Sequence, residues 1–262
     1  MILLLAVACR SPGAPPIVLA EDGGAGIWPG NTRYAVERAL DAGVDGVELD
    51  VGLTADGVVV IATGGDLGPT CAGPGGSLAE TLADDLADWS CGGFPDPVWP
   101  GAEVSAEPVP TLADLASLFI ARDPVVVELT LAAGDPVALA EALFDTWLAA
   151  DPANELWLAS DDANRLAAAE TAGRARGIEA QTRIVVPGPT GLSDLLGFGA
   201  PDPGEAEGIA LPWERARLQD ARALERAGVS LELLAVDTPG ALAAHRDWPV
   251  QALRTGYPGD LP

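Results

Sequence analysis

The chain has 262 residues, 39 of them acidic and 14 basic, for a formal net charge of -25. Every basic residue is arginine, because the sequence contains no lysine. A surface this acidic repels nucleic acid and anionic membranes, and it repels phosphate-bearing substrates too unless a metal ion reverses the field locally. With 48% hydrophobic and 20% charged residues the composition is that of a globular protein with a sizeable core, and the length suits one α/β barrel.

The first eight residues are apolar and end in small side chains before Cys9. This is the pattern of a bacterial lipoprotein signal with Cys9 as the lipidated residue, although the run is short and no basic residue precedes it. Residues 1–14 are read as leader and tether, 15–262 as a single domain, and the protein as exported, touching membrane only through a lipid anchor. The alternative is a frayed apolar terminus. Cys71 and Cys91 then remain as an even pair flanking a Gly/Pro-rich segment. In an oxidising compartment they would form a disulfide worth about 3 kcal/mol, the alternative being two unrelated buried thiols.

Beyond the leader, β-type runs alternate with alanine-rich amphipathic stretches. Eight strands are predicted: Ile17–Ala20, Asp45–Val51, Pro124–Leu129, Glu155–Ala159, Gln181–Val186, Gly208–Leu211, Ser230–Val236 and Val250–Thr255. Helical patterns cover Thr32–Ala42, Leu112–Ala121, Pro136–Ala150 and Asp162–Arg176 between them. Eight strands with intervening helices favour a closed (β/α)8 TIM barrel over an open sheet. Val58–Ala62 follows the second strand too closely for a parallel crossover and reads as a hairpin turning at Asp56-Gly57. Residues 63–108, with the cysteine pair and an acidic helical patch at Leu78–Trp89, form an insertion over the C-terminal mouth.

Chemistry concentrates on Val47-Glu48-Leu49-Asp50-Val51. Alternating strand side chains put Glu48 and Asp50 on one face, where two unpaired carboxylates would be costly unless a hard cation such as Mg²⁺ or Ca²⁺ joined them. Glu128, alone in Val125–Leu129, is the third candidate ligand, since strand ends converge at a barrel mouth. Pairing of these acids with an arginine, or exposure to solvent, is the competing account.

The order and spacing of several short motifs resemble the glycerophosphodiester phosphodiesterase family over nearly the whole chain after the leader. That family carries Ala-His-Arg-Gly, Pro-Glu-Asn-Thr, Glu-x-Asp-Val, a His-Asp pair, Thr-Leu, Glu-x-Lys and a terminal Thr-Asp-x-Pro. Here the matching segments are Ala20-Glu21-Asp22-Gly23, Pro29-Gly30-Asn31-Thr32, Glu48-Leu49-Asp50-Val51, Ala62-Thr63-Gly64, Thr111-Leu112, Glu128-Leu129-Thr130 and Thr255-Gly256-Tyr257-Pro258. The resemblance implies a TIM barrel, a phosphoric diester hydrolase ancestry in lipid metabolism, and metal-binding carboxylates at Glu48, Asp50 and Glu128. It also implies two histidines as general acid and base, with an arginine and a lysine for phosphate.

Those last residues are absent. Glu21 and Thr63 occupy the two histidine positions, Asp22 the arginine, Thr130 the lysine, Gly30 a glutamate, and Pro69 a frequent second arginine. Each lost proton carrier is typically worth 10²–10⁴-fold, and a threonine hydroxyl does not titrate near neutrality. Glu21 and Asp22 are read as drift, as extra cation ligands, or, for Glu21, as a replacement acid or base of raised pKa.

Other features invite plainer accounts. His245 is expected at the surface, on the face away from the mouth. Trp28, Trp89 and Trp99 either line a ligand cleft or pack the insertion. Gly23–Gly26 lacks phosphate-loop spacing, and Ser160, Asp161 and Asp162 read as a helix cap. The sequence thus points to a hydrolytically impaired phosphodiesterase-like protein of the envelope, binding a cation and a small phosphodiester or polyol. An active divergent metal-dependent hydrolase and a structural lipoprotein without metal are the rivals.

Overall fold

In the computed structural model the described residues are 14–67, 70–92, 106–186 and 207–258. Among them lie strands β1 (Ile17–Ala20), β2 (Gly46–Leu53), β3 (Val59–Ile61), β4 (Cys71–Ala72), β5 (Ser90–Cys91), β6 (Val126–Leu131), β7 (Glu155–Ser160), β8 (Gln181–Val185), β9 (Gly208–Pro212), β10 (Ser230–Leu234) and β11 (Ala252–Thr255). The helices are α1 (Arg33–Asp41), α2 (Leu112–Arg122), α3 (Pro136–Ala150), α4 (Ala163–Arg176), α5 (Leu218–Ala227) and α6 (Pro239–His245).

The sheet runs β1-β11-β10-β9-β8-β7-β6-β2 and closes through a β1–β2 pairing. All eight strands pair in parallel, so this is the (β/α)8 barrel that the alternating pattern predicts. Val47, Leu49 and Val51 face the helices with Leu115, Phe119 and Leu143 in the principal core. The alternate positions, Glu48 and Asp50, therefore face the barrel axis. Gly46 is required at the start of β2, because a Cβ there would stand 2.2 Å from the Val126 carbonyl oxygen.

Helix starts follow the chemistry of their caps. Thr32 accepts the Ala35 N–H, and Thr111 with Asp114 forms a reciprocal capping box at α2. Asp162 caps α4 by accepting the Asn164 N–H, while the Ser160 hydroxyl donates to the Leu131 carbonyl at 3.1 Å, so of the three residues expected as a cap Asp162 is the N-cap.

The hairpin is also where the pattern puts it: β3 pairs antiparallel to β2, with Val51 opposite Ile61. The insertion has its own small core of Leu67, Cys71, Leu78, Leu86, Trp89 and Cys91, to which Val60 and Ala62 of the hairpin contribute. Cys71 and Cys91 face each other on β4 and β5 and form a disulfide. The acidic patch at Leu78–Trp89 is not one helix but two 3-10 turns, Leu78–Glu80 and Ala83–Asp88. Only Leu78 and Leu86 are buried in those turns, and that leaves no continuous apolar stripe to support a longer helix. Trp89 is buried within this core, so it packs the insertion. Glu107 ties the insertion to the barrel, accepting the Arg33 and Tyr34 N–H groups at 2.5 and 3.2 Å at the start of α1. Trp99, Cys9 and Pro69 lie outside the described residues.

Candidate active site

Three short segments meet at the C-terminal mouth. Glu21–Gly23 is a 3-10 turn directly after β1, Thr63–Gly65 is another directly after the hairpin, and β2 carries Glu48 and Asp50 between them. Asn31 joins all three. Its side-chain amide donates to Asp22 Oδ1 at 2.8 Å and to Thr63 Oγ1 at 3.0 Å, while its Oδ1 accepts the Asp50 N–H at 3.0 Å. Asp22 and Asn31 both hold positive φ, 50° and 55°, a conformation that Asp and Asn tolerate better than other side-chain-bearing residues. Asp50 Oδ2 accepts the Gly64 N–H at 2.6 Å, and Glu48 Oε2 accepts the Asp22 N–H at 3.2 Å.

The tertiary structure thus brings Glu21, Asp22, Thr63, Glu48 and Asp50 to one place, as the motif order leads one to expect. What it adds is a polar layer in the barrel interior just below them. Glu128 lies in register beside Glu48 on the neighbouring strand. Arg254 on β11 reaches across to both, Nη1 to Glu48 Oε1 at 3.3 Å and Nη2 to Glu128 Oε1 at 2.9 Å, while its Nε meets Glu232 Oε1. Arg183 Nε stands 3.3 Å from Glu232 Oε2, and its guanidinium stacks 3.5 Å above the Trp157 ring. Thr130, in the lysine position, donates its hydroxyl to Glu48 Oε1 at 2.5 Å.

The structure thus sets a fixed positive charge beside two of the three expected oxygen ligands. Glu48 and Glu128 each spend an oxygen on the Arg254 guanidinium, and Glu48 spends the same oxygen again on Thr130. Among the described residues no group of three or more His, Cys, Asp or Glu side chains is placed to hold a metal ion. Glu128 Oε2 is buried without a partner, but the Arg254 guanidinium already stands beside Glu48 and Glu128, a fixed positive charge that an incoming Mg²⁺ or Ca²⁺ would have to face.

Crowding of acids sets the electrostatics. Burial, then the nearby Glu48 carboxylate, pushes Glu21 up to about 7, against the pull of Arg254. Burial, Glu48 and Glu21 likewise raise Asp22 to about 7, and burial, Glu48 and Asp22 raise Asp50 to about 8. Burial also raises Glu128 to about 7, although Arg254 opposes it. Burial disfavours the Arg254 charge, but Glu128, Glu232, Glu48 and Glu21 more than offset it, and the net direction is upward. Burial and mutual repulsion thus hold the carboxyl groups of the mouth above the usual carboxylate range, with no imidazole among them.

The chain's single histidine is elsewhere. His245 is not at the surface but buried, its ring 4.4 Å from Trp248 and 5.4 Å from Trp213, with Nδ1 2.7 Å from the Ala241 carbonyl oxygen. A histidine at the end of a short helix escapes the pattern because part of its cover comes from Trp213, distant in sequence. Sequence reasoning misses Arg254, Glu232 and Arg183 for a related reason. Each is a lone charge in a strand, the same signal that singles out Glu128, and only barrel closure pairs them. Trp28 is half-buried against the principal core, beside Gly24, whose φ of 101° and contact with the indole leave no room for a side chain.

Fold and site together define a parallel (β/α)8 barrel with a carboxylate-lined mouth at the C-terminal ends of β1 and β2. Residues 23–135 match the model of the Glycerophosphoryl diester phosphodiesterase family. A curated protein from Bacillus subtilis, YqiK, described as uncharacterized, is 31% identical over 106 residues. That alignment covers 40% of this chain and 41% of YqiK, so the match spans about two fifths of the relative's length. Solved structures agree on the fold. An Oleispira antarctica phosphodiesterase in complex with its product sn-glycerol-3-phosphate superposes with a TM-score of 0.77 at 21% identity, covering 94% of each chain. The glycerophosphodiester phosphodiesterase of Agrobacterium tumefaciens gives 0.69 at 19% identity, covering 93% of this chain and 97% of that one.

Proposed function

We propose that this protein is a glycerophosphodiester phosphodiesterase-like barrel that no longer hydrolyses phosphodiesters efficiently and acts at the cell envelope as a binding protein. The observation that carries this reading is the identity of the side chains at the mouth. Glu21, Asp22 and Thr63 stand where the family's two histidines and arginine are expected, and Asn31 locks Asp22 to Thr63 through one amide. A hydroxyl held this way cannot shuttle protons, and Asp22 repels the phosphate that an arginine would attract.

The ligand would be small. The Oleispira relative holds sn-glycerol-3-phosphate, a polyol carrying a phosphate. Carboxylates at this mouth accept hydrogen bonds from hydroxyls but oppose a second anion, so the polyol part of such a ligand suits the pocket better than the phosphate part. The envelope assignment rests on the apolar run before Cys9 and on the disulfide, which oxidising compartments favour.

Turnover of glycerophosphocholine by the purified protein, with and without Mg²⁺ or Ca²⁺, tests the reading. No product above the uncatalysed background is expected. Restoring Glu21→His, Asp22→Arg and Thr63→His together, with Arg254→Met so that Mg²⁺ or Ca²⁺ can reach the carboxylates, should recover measurable hydrolysis. Robust wild-type turnover that Glu48→Gln abolishes would instead establish an active divergent hydrolase, in which Glu21, pushed up to about 7, has a proton to exchange at neutral pH.

A further inference from the structure

We propose that Arg254 is the resident cation of this pocket, a guanidinium standing between Glu48 and Glu128 where a divalent ion would otherwise be required. Its three nitrogens meet three different carboxylates, Glu48 through Nη1, Glu128 through Nη2 and Glu232 through Nε. The Arg254 side chain is 5% exposed and the three acids are 3%, 0% and 0% exposed, so solvent does not screen these contacts.

A planar fork of N–H donors meets one oxygen of each converging carboxylate in a way that a lysine ammonium could not, leaving Glu128 Oε2 and Glu232 Oε2 without a hydrogen bond, and its charge persists at every pH the protein meets. Arg183 completes the arrangement as a second fixed positive charge. It reaches Glu232 from the opposite side and is itself held by Trp157 and by Gln251 Oε1 at 2.8 Å. These two guanidiniums thus face these three acids inside the barrel, and an added divalent ion would have to enter beside a positive charge already at hydrogen-bond distance from its ligands. The inference goes beyond loss of hydrolysis, because a barrel without turnover can still bind metal. Cation response and turnover are measured independently.

Thermal unfolding of the full chain in EDTA and in millimolar Mg²⁺, Ca²⁺ or Mn²⁺, together with calorimetric titration by Mn²⁺, tests it. For the wild type a Tm change below about 1 °C and no binding heat are expected. Arg254→Met should melt lower in EDTA and regain roughly 5 °C or more with the same ions, because three buried acids then need a counter-ion. Where Arg254→Met does not fold, Arg254→Met combined with Glu232→Gln removes one charge of each sign and should show the same gain. The proposal is overturned if wild-type protein binds Mn²⁺ with stabilisation that Glu48→Gln or Glu128→Gln removes. It is equally overturned if a folded Arg254 variant ignores all three ions.

Discussion

Asn31 shows how much one buried amide can organise. It is 1% exposed, holds a positive φ, and ties the turn after β1, the Asp50 position on β2 and the turn after the hairpin into one unit. Asn31→Ala would leave the Asp50 N–H without its acceptor and place an alanine at φ 55°, with an expected loss of about 2–3 kcal/mol. Asn31→Gly relieves the backbone but not the lost hydrogen bonds, so it should recover only part of that deficit. Urea unfolding of the two variants measures the difference, and an Asn31→Ala midpoint equal to wild type would refute the organising role.

At the same scale, Glu48, Asp50 and Glu128 are legible in the sequence because a lone acid in a β-branched run has to be explained. Their partner is not. Glu128 and Arg254 are separated by 126 positions and meet only because β11 and β6 are strands of one closed cylinder. The sequence leaves metal and arginine as competing counter-ions for these acids, and the structure sets Arg254 beside two of them, Glu48 and Glu128.

Among the elements, the strands and their intervening helices follow the periodic pattern closely, since apolar spacing is a local property that burial then selects. The insertion does not. Its stability comes from Cys71–Cys91, a small core and the Glu107 anchor on α1, and none of these is periodic. With the cysteines 20 positions apart, loop closure is worth about 3 kcal/mol. Reduction, or Cys71→Ser with Cys91→Ser, should therefore lower Tm by roughly 5–10 °C and expose Trp89 first. Trp89 fluorescence that is unchanged on reduction would mean the small core stands without its staple.

Over the whole molecule, a formal charge of -25 and a mouth of crowded carboxyls act in one direction. Burial and crowding push Glu21, Asp22, Asp50 and Glu128 up to about 7, 7, 8 and 7 from ordinary values of 4.5, 3.8, 3.8 and 4.5. Between those limits the folded state binds protons that the unfolded chain has released, so stability falls as pH rises from about 5 to about 8. A Tm lower at pH 8 than at pH 5 by on the order of 5–10 °C, in cation-free buffer, is the expected result. A flat or rising profile would mean that the carboxylates are stabilised as anions.

Local order along the chain determined the barrel, the hairpin, the capped helices and the absence of histidine from the mouth, because each depends on residue identity and short-range periodicity. Tertiary structure alone decided which charges neutralise one another. The reason is physical: a buried acid is indifferent to the chemical identity of its counter-ion as long as the charge and the geometry suit, and here Arg254 provides both from the far end of the chain.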